Sequence, residues 1–569
     1  MNQTTPAIVP QSAVRRLPRL ALILFCVAYV LPGFLGREPW KLADVSAFGV
    51  MLEMAAGHSS WWQPQVLGEL VDEPGPLPYW LGAAFIRLLP FLSADLAVRI
   101  PFGGLLALTL ACTWYAVYHL ARQRGAQPVA FAFGGEAQPV DYARTLADAA
   151  LLALVASLGL AQLSHETTPD LARLAACSAL LLGAARLAQP DDAHPTRSLL
   201  FWGLGATALT FSGAPWVALA TGAGMLLWTG LPRPGGPEHG ADRRPLIWAA
   251  VSLAVVMLAA AATGLLQGPT LSMPERWSDW TRWGRLLVWF TWPAWPLALW
   301  TLWRWRRQLR QPHVALPLWT ALVSVFNSAV NPDFDRALLL ALPALATLAA
   351  FALPTLSRSV SALIDWFTLV FFTGCALIVW TVWMAMMTGV PAKPAANVAK
   401  LAPGFVPEFS LLLFAVATLA TLAWVWLVGW RVGAHRQALW KSLVLPAAGA
   451  TLCWLLLMTL WLPLLDFGRS YGPLSRRVAS LVPADSCVLV DGLSSAQIAA
   501  LQYHGRLTLV RTQQPRQADG QACRALVVSP GTQPTLEQRV QLTQWAFKAS
   551  VSRLTDRKER LLVYQRVGP

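Results

Sequence analysis

Long apolar runs separated by short polar connections dominate the chain from residue 18 to residue 464. The runs extend for about 17–25 residues, the length of helix needed to cross roughly 30 Å of hydrocarbon. They fall at 20–35, 101–120, 146–164, 170–188, 198–212, 216–232, 245–266, 286–303, 314–330, 337–353, 361–383, 409–430 and 442–464, which predicts about 13 membrane-spanning helices. One further stretch, 76–92, is apolar but interrupted by Pro78, Arg87 and Pro90. It reads either as a span or as a helix lying in the membrane interface.

Charge separates these two readings. Arg15, Arg16 and Arg19 precede the first run, and no small-residue cleavage site follows it. That pattern predicts an uncleaved first span with its N-terminus in the cytoplasm. If 76–92 lies flat, Arg122, Arg124 and the basic stretches Arg304–Arg310 and Arg431–Lys441 fall on the cytoplasmic side. If it spans, they all face outward, against the positive-inside rule. An odd number of spans then puts the C-terminus in the periplasm.

Beyond residue 465 the pattern changes. Strand-like runs at Cys487–Val490, Leu507–Val510, Ala525–Val528 and Leu561–Tyr564 alternate with helical patterns at Ser494–Tyr503 and Thr535–Phe547. Such alternation predicts a small α/β domain. The expected organisation is a transmembrane domain over 1–465, with a periplasmic first loop at 37–100, followed by a periplasmic α/β domain over 466–569.

Composition sharpens the class. Hydrophobic residues make up 56% of the chain and charged ones 13%, with a mean hydropathy of +0.48. A soluble surface cannot be covered by that mixture. The net charge of +15 implies no nucleic-acid partner, because the basic residues sit mostly in short connections where they set topology. Many of the 29 Trp residues lie near run ends, as an aromatic belt at the lipid headgroups requires. Cys26, Cys112, Cys177, Cys375 and Cys453 fall within apolar runs. Cys487 and Cys523 lie in the polar tail, where an oxidising compartment lets them form a disulfide.

A few polar residues stand out against this background. Asp44 follows the first span closely, preceded by Lys41. A carboxylate so near the bilayer core is costly unless hydrated or functional; the simpler alternative is a helix N-cap. Asp72 and Glu73 precede a Pro-Gly-Pro turn and a helix led by Tyr79 and Trp80. These acids suit a divalent metal through oxygen ligands, or equally a solvated loop. His165, Glu166 and Asp170 crowd one tight turn expected on the same external face, where Asp170 is another candidate N-cap. Arg282, Arg285 and Arg336 are also external. Carboxylates for acid/base work and arginines for a phosphate together suit transfer from a phosphate leaving group.

At these positions the sequence resembles the bacterial GT-C glycosyltransferases, a group that includes the aminoarabinose transferase of lipid A and the protein O-mannosyltransferases. The resemblance rests on Asp44, on the run from Glu73 through Leu77 to Tyr79 and Trp80, and on Asp170. It is clear over about residues 20–240. It implies an all-α polytopic membrane protein that moves a sugar from a polyprenyl-phosphate donor with inversion. By position Asp44 is the first-loop catalytic acid, Glu73 the metal-associated Glu and Asp170 the supporting carboxylate. Arg336 matches a basic residue that contacts the donor phosphate. Two departures are visible. Val45 follows Asp44 where the family has Asp-Glu, and Pro74 follows Glu73 where it has Lys; Lys41 is the nearby cation that can substitute.

The expected function is therefore an inverting glycosyltransferase at the periplasmic face of a bacterial inner membrane. Its expected donor is an undecaprenyl-phosphate sugar and its acceptor lipid A, another glycan or a protein. Two rivals remain at this stage: a transporter or flippase of lipid-linked substrates, and a non-catalytic relative.

Overall fold

The computed structural model describes residues 5–40, 42–71, 75–189, 194–231, 243–266, 273, 275–433, 438–483, 486–512, 523–556 and 558–567. Helix α1 (Arg19–Val30) leads into α2 (Ala43–Ala56), a short antiparallel hairpin of β1 (Gln65–Val66) and β2 (Glu69–Leu70), α3 (Leu77–Leu88) and α4 (Ala94–Ala121). Glycine ends α2: Gly57, at φ 85°, takes the left-handed position and bonds back to Glu53 and Met54. The stretch 76–92 forms only the twelve-residue α3, about 18 Å long and too short to cross a bilayer. Instead it packs against α2 and α4.

Next come α5 (Pro139–Ala156), α6 (Leu160–Leu163), α7 (Pro169–Leu187), α8 (Pro195–Phe211), α9 (Pro215–Gly230) and α10 (Arg244–Ala262). Proline occupies the first turn of α3, α5, α7, α8, α9 and α10, where its missing N–H costs nothing and its fixed φ suits a helix. α5 and α7 are buried along most of their length. Their neighbours approach closely because small residues permit it: a Cβ on Gly205 of α8 would lie 2.5 Å from the Leu180 nitrogen of α7. Buried hydroxyls bond within their own helices, as Thr113 to the Thr109 carbonyl at 2.8 Å and Ser178 to Leu174 at 2.9 Å.

The second half contains α11 (Trp277–Phe290), α12 (Ala294–Arg304), α13 (Pro312–Ala329), α14 (Phe334–Leu338), α15 (Leu342–Ala352), α16 (Arg358–Thr388), α17 (Ala392–Leu401), α18 (Leu411–Gly433), α19 (Lys441–Leu457), α20 (Leu462–Arg469) and α21 (Gly472–Ala479). Among the described residues, five helices are long and apolar enough to cross a membrane, or six if the bent pair α19 and α20 counts as one span. The expectation was about 13. Every expected run is helical, but several are short or broken. The run 146–164 stops at Ala156, 286–303 divides around Thr291–Pro293, and 442–464 turns by 68°.

The tail is a five-stranded sheet of β3 (Val488–Asp491), β4 (Leu509–Arg511), β5 (Ala525–Val528), β6 (Trp545–Ser552) and β7 (Arg560–Arg566), in the order β4-β3-β5-β7-β6. The first three are parallel and β7 is antiparallel to both its neighbours. Helix α22 (Ser495–Tyr503) crosses over from β3 to β4, started by a capping box of Ser494 and Gln497. A helix over Thr535–Phe547 does not form. Gln533–Gln538 is a 3₁₀ turn and Trp545 opens β6. The apolar spacing there fits either period, and pairing with β7, which sets Phe547 opposite Tyr564, decides for strand. α22 then docks on α2 so tightly that a Cβ on Gly49 would lie 2.3 Å from that of Ala499.

Candidate active site

Asp44 sits in the first turn of α2 but does not cap it. The N-cap position is Leu42, with no side-chain cap bond. The carboxylate is instead filled from four directions. Oδ1 accepts the Thr167 N–H at 2.7 Å and its hydroxyl at 2.8 Å. Oδ2 accepts the Trp40 N–H at 3.0 Å and meets the Arg37 guanidinium at 3.0 Å. Both side chains of the Arg37–Asp44 pair are 2% exposed, and Arg37 also donates to the His165 carbonyl at 2.6 Å. Burial by itself would push the Asp44 carboxyl up. The Arg37 charge and the Trp40 and Thr167 donors outweigh it and hold the group below the usual carboxylate range.

The turn that Asp44 grips runs from Ser164 to Thr168, between α6 and α7. His165 is packed among Tyr29, Phe34 and Trp454. Burial pushes its imidazole down to about 4, against the pull of the Ala161 and Tyr29 carbonyls. It is therefore neutral near pH 7 and acts as a packing residue. Asp170, in the first turn of α7, faces two arginines. Its Oδ1 meets Arg173 at 3.1 Å and its Oδ2 meets Arg336 at 3.2 Å. Arg336 also reaches Glu166 at 2.6 Å, whose other oxygen accepts from Gln162 at 3.1 Å. One guanidinium thus spans two buried carboxylates.

Asp170, Arg173 and Arg336 line a cavity of about 720 Å³, together with Asn327, Asn331 and Asp333. Its remaining wall is largely apolar, with Trp216, Val217, Val323, Phe326 and Leu340. No family model and no curated protein matches this sequence. Among the solved structures with a similar fold are two crystal structures of one protein. One is ArnT from Cupriavidus metallidurans bound to undecaprenyl phosphate, at 15% identity and a TM-score of 0.63, covering 97% of this chain and all of that one. The other is the same protein in the apo state, at 16% identity and a TM-score of 0.62, covering 97% and 98%. The fold is shared with ArnT. That likeness spans the helical region and the C-terminal sheet alike.

Within the ArnT-like fold the remaining candidates are scattered. Arg282 stacks over Phe334 at 5.3 Å, two residues before Arg336. Arg285 is exposed and bonds to the Thr281 carbonyl of its own helix at 3.4 Å. Tyr79 is buried on α3. Lys41 and Glu73 lie outside the described residues. Cys487 and Cys523 are joined by a disulfide in the tail. Among the described residues no group of three or more His, Cys, Asp or Glu side chains converges as a metal site. Asp44, Glu166 and Asp170 are each paired with arginine instead.

Sequence reasoning missed Arg37, Trp40, Thr167 and Arg173. Arg173 carried a local signal, since it follows Asp170 by three residues on a helix, the spacing at which opposite charges meet. Arg37 and Thr167 carried none, because their partner Asp44 is fixed only by the folded turn.

Proposed function

We propose that this protein is a GT-C glycosyltransferase using a polyprenyl-phosphate sugar. The observation that carries the reading is the largely apolar cavity lined by Arg336, Arg173 and Asp170, in a fold shared with an ArnT solved with undecaprenyl phosphate. A long lipid suits the apolar wall, and guanidinium groups suit a phosphate through charge-assisted bonds. Arg336, together with Arg282, is assigned to the departing phosphate.

In the proposed reaction an acceptor hydroxyl attacks the anomeric carbon from the face opposite the phosphate. The bond from that carbon to the phosphate oxygen breaks with its electron pair, giving polyprenyl phosphate and the inverted glycoside. The hydroxyl proton passes to a carboxylate. Asp170 lines the cavity but is ion-paired with both Arg173 and Arg336, so it is assigned to holding those guanidiniums at the departing phosphate rather than to taking the proton. The four donors around Asp44 support a positioning role: it fixes the turn that carries Glu166 and Asp170. The acceptor class stays lipid A, another glycan or a protein. The site is assigned to the periplasmic face of the inner membrane, with domains at 1–465 and 466–569, a cytoplasmic N-terminus and a periplasmic C-terminus.

The test compares the parent strain with one lacking the protein, by mass spectrometry of lipid A, glycans and secreted proteins. One sugar increment should vanish in the mutant and return with the wild-type chain but not with Asp170→Asn. Identical profiles, together with purified protein that does not bind undecaprenyl phosphate, would refute the proposal.

A further inference from the structure

Arg173 is held on two sides. Its Nη1 meets Asp170 at 3.1 Å, and its Nε–H donates to the Ser212 carbonyl at 2.7 Å. Ser212 belongs to the turn between α8 and α9. Gly213 there has φ +88°, and a Cβ at that position would lie 2.9 Å from Arg173 Nη2 and 3.3 Å from the Gly75 nitrogen. A Cβ on Gly75 would lie only 2.2 Å from the Gly213 nitrogen. Two glycines therefore let two backbone segments close on each other beside the guanidinium. A side chain at 75 would force them apart.

This clasp fixes a long, flexible side chain in one pose at the cavity wall. Asp170 stands between Arg173 and Arg336, giving one oxygen to each, and both arginines line the same largely apolar cavity. Planar, fixed guanidiniums are suited to phosphate oxygens.

We infer that Arg173 is a second phosphate-gripping residue of the donor site, held ready by the Gly75–Gly213 clasp. The inference rests on the polyprenyl-phosphate reading above. Purified protein in nanodiscs is titrated with undecaprenyl phosphate and, separately, with undecaprenol. Wild type should prefer the phosphate. Arg173→Gln should weaken phosphate binding about tenfold or more, leave undecaprenol binding unchanged, and be partly rescued in Arg173→Lys. Gly213→Ala, which keeps the arginine but crowds it, should also weaken the phosphate.

A second measurement needs only wild type. Undecaprenyl phosphate, and not undecaprenol, should protect Arg173 from phenylglyoxal, read by peptide mass spectrometry; this decides the matter if Arg173→Gln does not fold. Wild type with no preference for the phosphate would remove both this inference and the donor reading. A wild-type preference with no protection of Arg173, or with full affinity in folded Arg173→Gln, would overturn this inference alone.

Discussion

The indole N–H of Trp40 donates to Oδ1 of Asp466 at 2.6 Å, joining the segment after α1 to α20 across 426 residues. The guanidiniums of Arg37 and Arg469 lie 4.6 Å and 4.9 Å from the Trp40 ring, while its backbone N–H holds Asp44. One residue therefore links the tail to the candidate active site. Trp40→Phe keeps an aromatic ring, though a smaller one, and removes the indole donor. It should cost about 1–3 kcal/mol, the penalty for leaving a buried acceptor unmet, and lower the midpoint of thermal unfolding in detergent. An unchanged midpoint would show that the link carries no stability.

The Arg37–Asp44 pair predicts a non-additive result. Asp44→Asn leaves a buried guanidinium without its countercharge, at a cost of about 3–5 kcal/mol. Arg37→Met leaves the carboxylate in the same position. The double variant Arg37→Met/Asp44→Asn should melt higher than the sum of the single losses allows. Simple additivity in the thermal midpoints would mean the pair is not coupled.

His165 predicts acid sensitivity. Its pKa is about 4 in the fold and about 6.5 when unfolded, so the unfolded chain binds more protons between those values. Stability from keeping it neutral is complete above about pH 6.5 and is lost as pH falls toward 4, by an amount on the order of 3 kcal/mol. Unfolding midpoints measured from pH 7.5 to 4.5 should fall. The slope should shrink in a folded His165→Gln variant.

The tail predicts a redox and topology result together. Thiol labelling of denatured, unreduced protein should miss Cys487 and Cys523 and label them after reductant. Removing the bridge, which closes a separation of 36 residues, should destabilise the tail by about 3–4 kcal/mol in the chain-entropy model. Alkaline phosphatase fused after Pro569 should be active if the tail is periplasmic. An inactive fusion at normal expression would reverse the topology.

Much of the helical layout was legible in the sequence, because a long apolar run states its own need for a bilayer or a core. The strands at 488–491, 509–511, 525–528 and 560–566 were expected at 487–490, 507–510, 525–528 and 561–564 for a similar reason: short apolar runs, bounded by polar turns, have few other options. The stretch from Thr535 to Phe547 was misjudged as helix because its local pattern is ambiguous, and only the partner strand β7 resolves it. Span lengths were overestimated where Pro293 or a bend divides an apolar run, since hydropathy does not record a change of direction.

The candidate site divides along the same physical line. The sequence by itself marked Asp44, Glu166, Asp170 and Arg336, because charged residues beside long apolar runs are expensive and therefore conspicuous. It could not pair them. Arg336 meets Asp170 across 166 residues and Glu166 across 170, and Thr167 meets Asp44 across 123. Such contacts depend on which helices pack together, and packing is a property of the whole assembly of faces rather than of any window of sequence. The tertiary structure alone decided that Asp44 is enclosed by donors while Asp170 opens onto a cavity, because burial and hydrogen-bond saturation exist only once the surrounding helices are in place.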